Sequence, residues 1–157
     1  MKYLLIILGM LLGTLPITFV HADDVEAMAV QVTHAYVNSM PPVVKVTAGF
    51  FELRNSGSAT ITLTGISSPQ AEKVELHRSA SVDGRMTMRQ LISLDIAPGE
   101  KIKLEPGGMH LMLWGLDRSL RPGNFVRLTL HFSNGQRKIF PAELRDVRDE
   151  SSRHHGH

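Results

Sequence analysis

Short runs of β-branched and aromatic residues, cut by Gly, Pro, Asn and Asp, constrain this chain more than any other feature. VQVTHAYV, KVTAGFFELRN, TITLTGI, KVELHRS, RMTMRQLISL, KIKLEP, MHLMLWGL, FVRLTLHFS and RKIFPAEL follow one another along it, at roughly the ten-residue rhythm of an all-β sandwich or barrel. In NFVRLTLHFS, Val126, Leu128, Leu130 and Phe132 alternate with Arg127, Thr129 and His131, so one face is buried and the other wet. Asn134-Gly135 and Asp83-Gly84 each stand between two such runs, where tight hairpins need left-handed backbone. No segment carries a long helical period, and no repeat is present. The expected fold class is all-β, a sandwich or barrel of about eight or nine short strands.

The chain opens MKYLLIILGMLLGTLPITFVHADD. One lysine, an apolar run from Leu4 to about Leu15, and the small-residue ending Val20-His21-Ala22 have the three-part form of a secretory signal peptide, cut after Ala22. The apolar run is about a dozen residues, short of the roughly 20 that span a bilayer, so stable membrane insertion after cleavage is not expected. Residues 23–145 are expected to form one domain, large enough for its own core, and 146–157 a flexible polar tail. The expected location is the periplasm and the expected state a monomer. With no cysteine in the chain, thiol chemistry is excluded, no lipid anchor is expected, and stability must rest on packing.

Charge excludes a further class. Without Lys2 the chain has 16 basic against 15 acidic residues, and Arg145, Arg148 and Arg153 are interleaved with acids rather than striped. A nucleic-acid partner is therefore not expected. Nor is an enzyme: there is no nucleophile elbow, no paired-carboxylate motif and no Cys.

Four side chains stand out as chemistry: His77, Met88, His110 and Met112. His110 and Met112 are two apart on a strand, so they point to one side and can share an ion. A turn centred between residues 82 and 83 would set His77 opposite Met88. Thioethers are soft, neutral ligands that select Cu(I), and imidazole accepts copper in either state. Zinc more often recruits Cys, His or carboxylate, and blue-copper electron transfer needs a thiolate this chain lacks. The other reading of the same residues is plain: Met fills irregular cores, and a strand His is commonly a surface residue. Residue types alone leave both open. A non-metal β-sandwich interaction module of the envelope, working through its edge strands, is the competing function.

The spacing H-x10-M-x21-H-x-M runs from His77 through Met88 and His110 to Met112. It resembles the signature of the PCuAC family, periplasmic copper chaperones that supply cytochrome c oxidase assembly. VELH at 74–77, GRMTMRQL at 84–91, APGEKIKLEPGGMHLMLWGL at 97–116, LTLHF at 128–132 and the upstream AGFFELRNSGSATITLTGISSP are similar to that family too, so the resemblance covers about residues 27–142. It implies a cupredoxin-like β-sandwich with His77, Met88, His110 and Met112 as Cu(I) ligands near the surface. It also implies delivery to an acceptor protein, such as the CuA site of cytochrome c oxidase or one of its assembly factors. Some family members bind Cu(II) through a His- and Met-rich tail; here the tail offers His154, His155 and His157 but no Met, and reads equally as an ordinary polar terminus.

Other residues are expected outside the site. Met86 and Met109 are expected to pack, and His34 and His131 to be solvated. Trp114 shares the side of His110 and Met112, where it could shield the site, but core packing is the expectation preferred for it. The expected mature start, Asp23-Asp24-Val25, lacks a third-position His, so an amino-terminal Cu(II) chelate is not available.

Overall fold

Ten strands and no helix form among the described residues, which in this computed structural model are 29–41 and 43–146. They are β1 (Val30–Ser39), β2 (Val46–Asn55), β3 (Ile61–Ser67), β4 (Lys73–Val82), β5 (Arg85–Gln90), β6 (Leu94–Ile96), β7 (Lys101–Leu104), β8 (Met109–Trp114), β9 (Phe125–Phe132) and β10 (Arg137–Asp146). The expected leader, its cut after Ala22 and the histidines of the tail lie outside the described residues.

Every run read from the sequence holds a strand, and one run holds two. The pairing of RMTMRQLISL with β4 runs one step past Gln90, where the Leu91 amide donates to the Leu76 carbonyl at 2.8 Å, and the run breaks there. Leu94–Ile96 then pairs with β3 instead. That break makes ten strands rather than eight or nine, and it also fixes the shape. The sheet order is β5-β4-β8-β7-β2-β1-β10-β9-β3-β6, so β5 and β6 are its two outer strands. Only Leu91–Ser93 separates them in the chain, and a few residues reach no further than about 15 Å at 3.8 Å per Cα step. A ten-stranded sheet whose edges are tied that closely must curl on itself.

The concave side is the core. Val126, Leu128, Leu130 and Phe132 are all buried, as the alternation requires, and so are Leu111 and Leu113 of β8 and Leu53 of β2. Phe51 and Phe140 meet edge to face, with centroids 5.3 Å apart. Asn55, buried at the end of β2, is fully used: its Nδ2 donates to Ala59 O and Ile96 O, and its Oδ1 accepts from Gly57 N. A buried amide with its partners made costs little and pins the β2–β3 turn against β6.

Pro141 sits in β10, which has neighbours on both sides. It is tolerated because the parallel pairing with β1 begins only at Glu143, so the missing N–H breaks no rung. In β1 the register slips between Thr33 and Tyr36, and His34 takes φ 55° there, a bulge that lets the strand bend.

Both Gly-containing hairpins form. Ser133-Asn134-Gly135 is a three-residue loop closed by Gly135 N to Phe132 O at 3.0 Å, with only the glycine left-handed. At the other hairpin Asp83 (φ 51°) and Gly84 (φ 74°) are both left-handed, the signature of a two-residue type I′ turn. The turn is therefore centred between Asp83 and Gly84, one position later than expected. The register follows: His77 pairs with Gln90, and Met88 with Ser79.

Candidate metal centre

The site is built by three successive rungs between β4 and β8. Lys73 lies opposite Trp114, Glu75 opposite Met112 and His77 opposite His110. Cross-strand partners project from the same side of a sheet, and Val74, Leu76, Leu111 and Leu113, at the alternate positions, are all in the core. So Lys73, Glu75, His77, His110, Met112 and Trp114 share the outward side. Met88 joins them from β5, opposite Ser79 and therefore one rung beyond His77. All four residues expected as ligands come to one side of the sheet. Their burial is graded: His110 is 8% exposed and Met88, on the outer strand, 53%. Met112 is half-buried and has only Ala48 as its neighbour on β2.

The two imidazoles have centroids 6.2 Å apart and lie 31° from parallel. Their hydrogen bonds differ. His110 Nδ1 is 3.1 Å from the Gly108 carbonyl; a carbonyl only accepts, so Nδ1 carries the proton and Nε2 keeps its lone pair. The same carbonyl takes the Ser79 amide at 3.1 Å, which fixes the start of β8 against β4. His77 Nε2 is 2.9 Å from Glu75 Oε2, and this carboxylate is ionised: hydrogen bonds from His77 and then Lys73 hold its pKa below the usual Glu value. Nε2 is therefore the donor. His77 Nδ1 is left buried and without a partner, a state that costs roughly 1–3 kcal/mol in a folded protein. Two nitrogen lone pairs and two thioether sulfurs, with no charged atom among them, make a donor set that fits soft Cu(I). Carboxylate or carbonyl partners on the far nitrogen of a ligating His are the usual means of orienting it.

Three expectations about neighbours change. Trp114 is not in the core; it is half-buried on the outward side, 6.0 Å from the His77 ring, with Lys73 Nζ 4.1 Å above its own ring. The strand alternation that puts Leu113 inside puts Trp114 outside. Met86 shares the side of Met88 but is 67% exposed rather than packed, because β5 has only β4 beside it. His131 is half-buried, its Nε2 2.8 Å from Ser67 Oγ. His34 is exposed, 3.5 Å from Glu52. Met109 is half-buried and packs against the edge of the core, and its sulfur accepts an exposed hydrogen bond from Arg78 at 3.3 Å.

Glu75, Lys73 and Gly108 are members of the site that the sequence reading missed. A signal existed for two of them: Lys73 and Glu75 precede His77 by four and two positions, and the period of two puts all three on one side. A groove lined by Met40, Val44, Thr47, Leu116 and Leu120 among others shares Trp114 with this side but touches none of the four expected ligands.

The model of a family described as "Putative lipoprotein LpqE-like" matches residues 30–143. A protein of Leifsonia xyli subsp. xyli, named "Putative lipoprotein Lxx21020", is 32% identical over 132 residues, covering 83% of this chain and 78% of its own. Among solved structures, CuI-DR1885 from Deinococcus radiodurans is 30% identical, with TM-score 0.56 and coverage of 80% of this chain and 86% of that one. The copper-bound PCuAC domain from PmoF2 is alike in fold, with TM-score 0.61 and 15% identity over 75% of this chain and 93% of that domain. With ten strands in this order and the family model spanning nearly all of them, the chain belongs to the LpqE-like family and has a PCuAC-type fold.

Proposed function

We propose that this protein is a copper chaperone of the cell envelope, a carrier rather than a catalyst. It takes one Cu(I) on His77, Met88, His110 and Met112 and passes it to an acceptor protein. The observation that carries this reading is the pair of facing histidines, each with one nitrogen tied to an acceptor and the other left with a lone pair. The structures of CuI-DR1885 and of the copper-bound PmoF2 domain support it by likeness.

Neutral ligands leave the cargo with its single positive charge, so it is held without the trapping a thiolate would bring. Met88, the exposed member on the outer strand, leaves first as a thiolate or imidazole of the acceptor enters. The buried His110 leaves last. The ion moves by ligand exchange and is never free in solution. The acceptor in this reading is a site such as CuA of cytochrome c oxidase, or a protein that assembles it. Export by the amino-terminal leader agrees with the lipoprotein names of the family and its relative, although these 157 residues hold no cysteine for a thioether-linked lipid.

One observation favours the competing reading as an interaction module: all six residues of β5 are exposed, at a free sheet edge. Methionine methyl NMR separates the two. Cu(I) should shift the methyl signals of Met88 and Met112 while leaving Met109 in place; an interaction module shows no change in any of them.

A further inference from the structure

We propose that Glu75 is a positioning residue that, with its charge balanced by Lys73, locks His77 as the Nε2–H tautomer and so dedicates Nδ1 to the cargo ion. The inference rests on the copper reading of His77 and adds the part played by two residues outside the ligand set.

Three observations converge on it. Glu75 reaches both neighbours on its own strand, with Oε2 2.9 Å from His77 Nε2 and Oε1 3.1 Å from Lys73 Nζ. The Glu75 and His77 side chains are only 19% and 14% exposed, whereas an ordinary surface ion pair is open to water and contributes little to stability. Then His77 Nδ1 is buried with no partner. A neutral imidazole has one donor and one acceptor nitrogen, so the carboxylate that claims the proton at Nε2 also decides which nitrogen stays free.

Without Glu75 the ring has no reason to keep its proton on Nε2. The tautomer with the proton on Nδ1 would place an N–H where the ligand atom should be, and the ring could also turn over. Lys73 keeps the arrangement from adding a net negative charge beside the ion. It is held in turn by Trp114, over whose ring it lies at 4.1 Å. The two histidines then present opposite nitrogens, Nδ1 of His77 and Nε2 of His110, because one is held by a side chain two residues back and the other by the Gly108 carbonyl.

The test uses the wild-type chain with Glu75→Leu, which removes the acceptor, and Glu75→Gln, which keeps one. Long-range proton–nitrogen NMR of the metal-free protein is recorded well above the ordinary His pKa of about 6.5. It should find His77 as Nε2–H in the wild type, a tautomer mixture in Glu75→Leu and recovery in Glu75→Gln. Cu(I) competition on the same samples should find affinity about 10- to 100-fold weaker in Glu75→Leu, the usual range for losing such a partner, with Glu75→Gln in between. A His77 already protonated on Nδ1, or mixed in the wild type, overturns the proposal and leaves the copper reading standing. An unchanged Cu(I) affinity in Glu75→Leu overturns it as well. Wild-type protein that takes up no Cu(I) while His77 stays locked would sink the copper reading, and with it the purpose assigned to Glu75.

Discussion

His77 and His110 face each other across β4 and β8, 6.2 Å between ring centroids, on the side of the sheet turned away from the core. That relationship sets the separation between stability and metal binding along β8. Leu111 lies between His110 and Met112 in sequence but points the other way and is fully buried. Leu111→Ala should cost about 2–5 kcal/mol, the range for emptying a core leucine. Cu(I) affinity per folded molecule should stay at the wild-type value. Urea unfolding and Cu(I) competition on the same preparation check both halves; lost affinity in fully folded protein would mean that the alternation is misread.

The hairpin turn controls Met88 alone. Asp83 and Gly84 both need left-handed backbone, and a β-branched residue at the second position resists it. Gly84→Val should loosen β5 and lower Cu(I) affinity to the level of Met88→Ala, and no further. Adding Gly84→Val to Met88→Ala should then change nothing more. An additional loss in the double variant would show that β5 supplies something besides the thioether.

Gly115 ends β8 with φ 60°, and a Cβ there would run into the Glu72 side chain. Gly115→Ala combines left-handed strain with that clash, and should destabilise by about 1–3 kcal/mol. Truncating Glu72 to Ala in the same chain should recover the steric part and leave the backbone part. Unfolding midpoints of the two single variants and the double variant separate them; full recovery would mean that the backbone carries no strain.

Acid should weaken the fold partly through Glu52. Its hydrogen bond from Lys101, against the opposing effect of burial, and the nearby charges of Lys101, His34 and Lys103 leave its pKa below the usual Glu value. A carboxylate with a lowered folded pKa stabilises fully above its unfolded pKa and loses that contribution as pH falls through the folded one. Between neutral pH and the ordinary Glu range Glu52→Gln should be less stable than wild type by a constant amount. The gap should close as pH drops below that range. Urea midpoints across the series test it, and a gap that widens in acid would reverse the sign.

Much of this was legible in the sequence, and the omissions share a cause. Period-two alternation named the buried side of β9 and β8 correctly because a curled sheet has one inside, and residues such as Leu128 and Leu111 have nowhere else to go. The type I′ turn was legible as Asp83-Gly84, yet its centre was placed one position early, which moved Met88 by one rung. Side assignment survived because a shift of two keeps parity. Alternation already put Trp114 on the side of His110 and Met112, yet core packing was preferred to shielding the site; the structure keeps it on that side, half-buried. The exposure of Met86 depends on β5 being an outer strand, and strand order is a tertiary fact that local pattern does not carry. Glu75 was overlooked because a Glu in a strand reads as a wet-face residue until its partner is known.

The copper site itself is tested most directly by a Cu(I) competition titration of residues 23–157, wild type against the Met88→Ala, His110→Ala double variant. The account predicts one Cu(I) per wild-type chain, and an affinity lower by about 100-fold or more in the variant, each tenfold step being about 1.4 kcal/mol. An unchanged affinity in the folded double variant would contradict it.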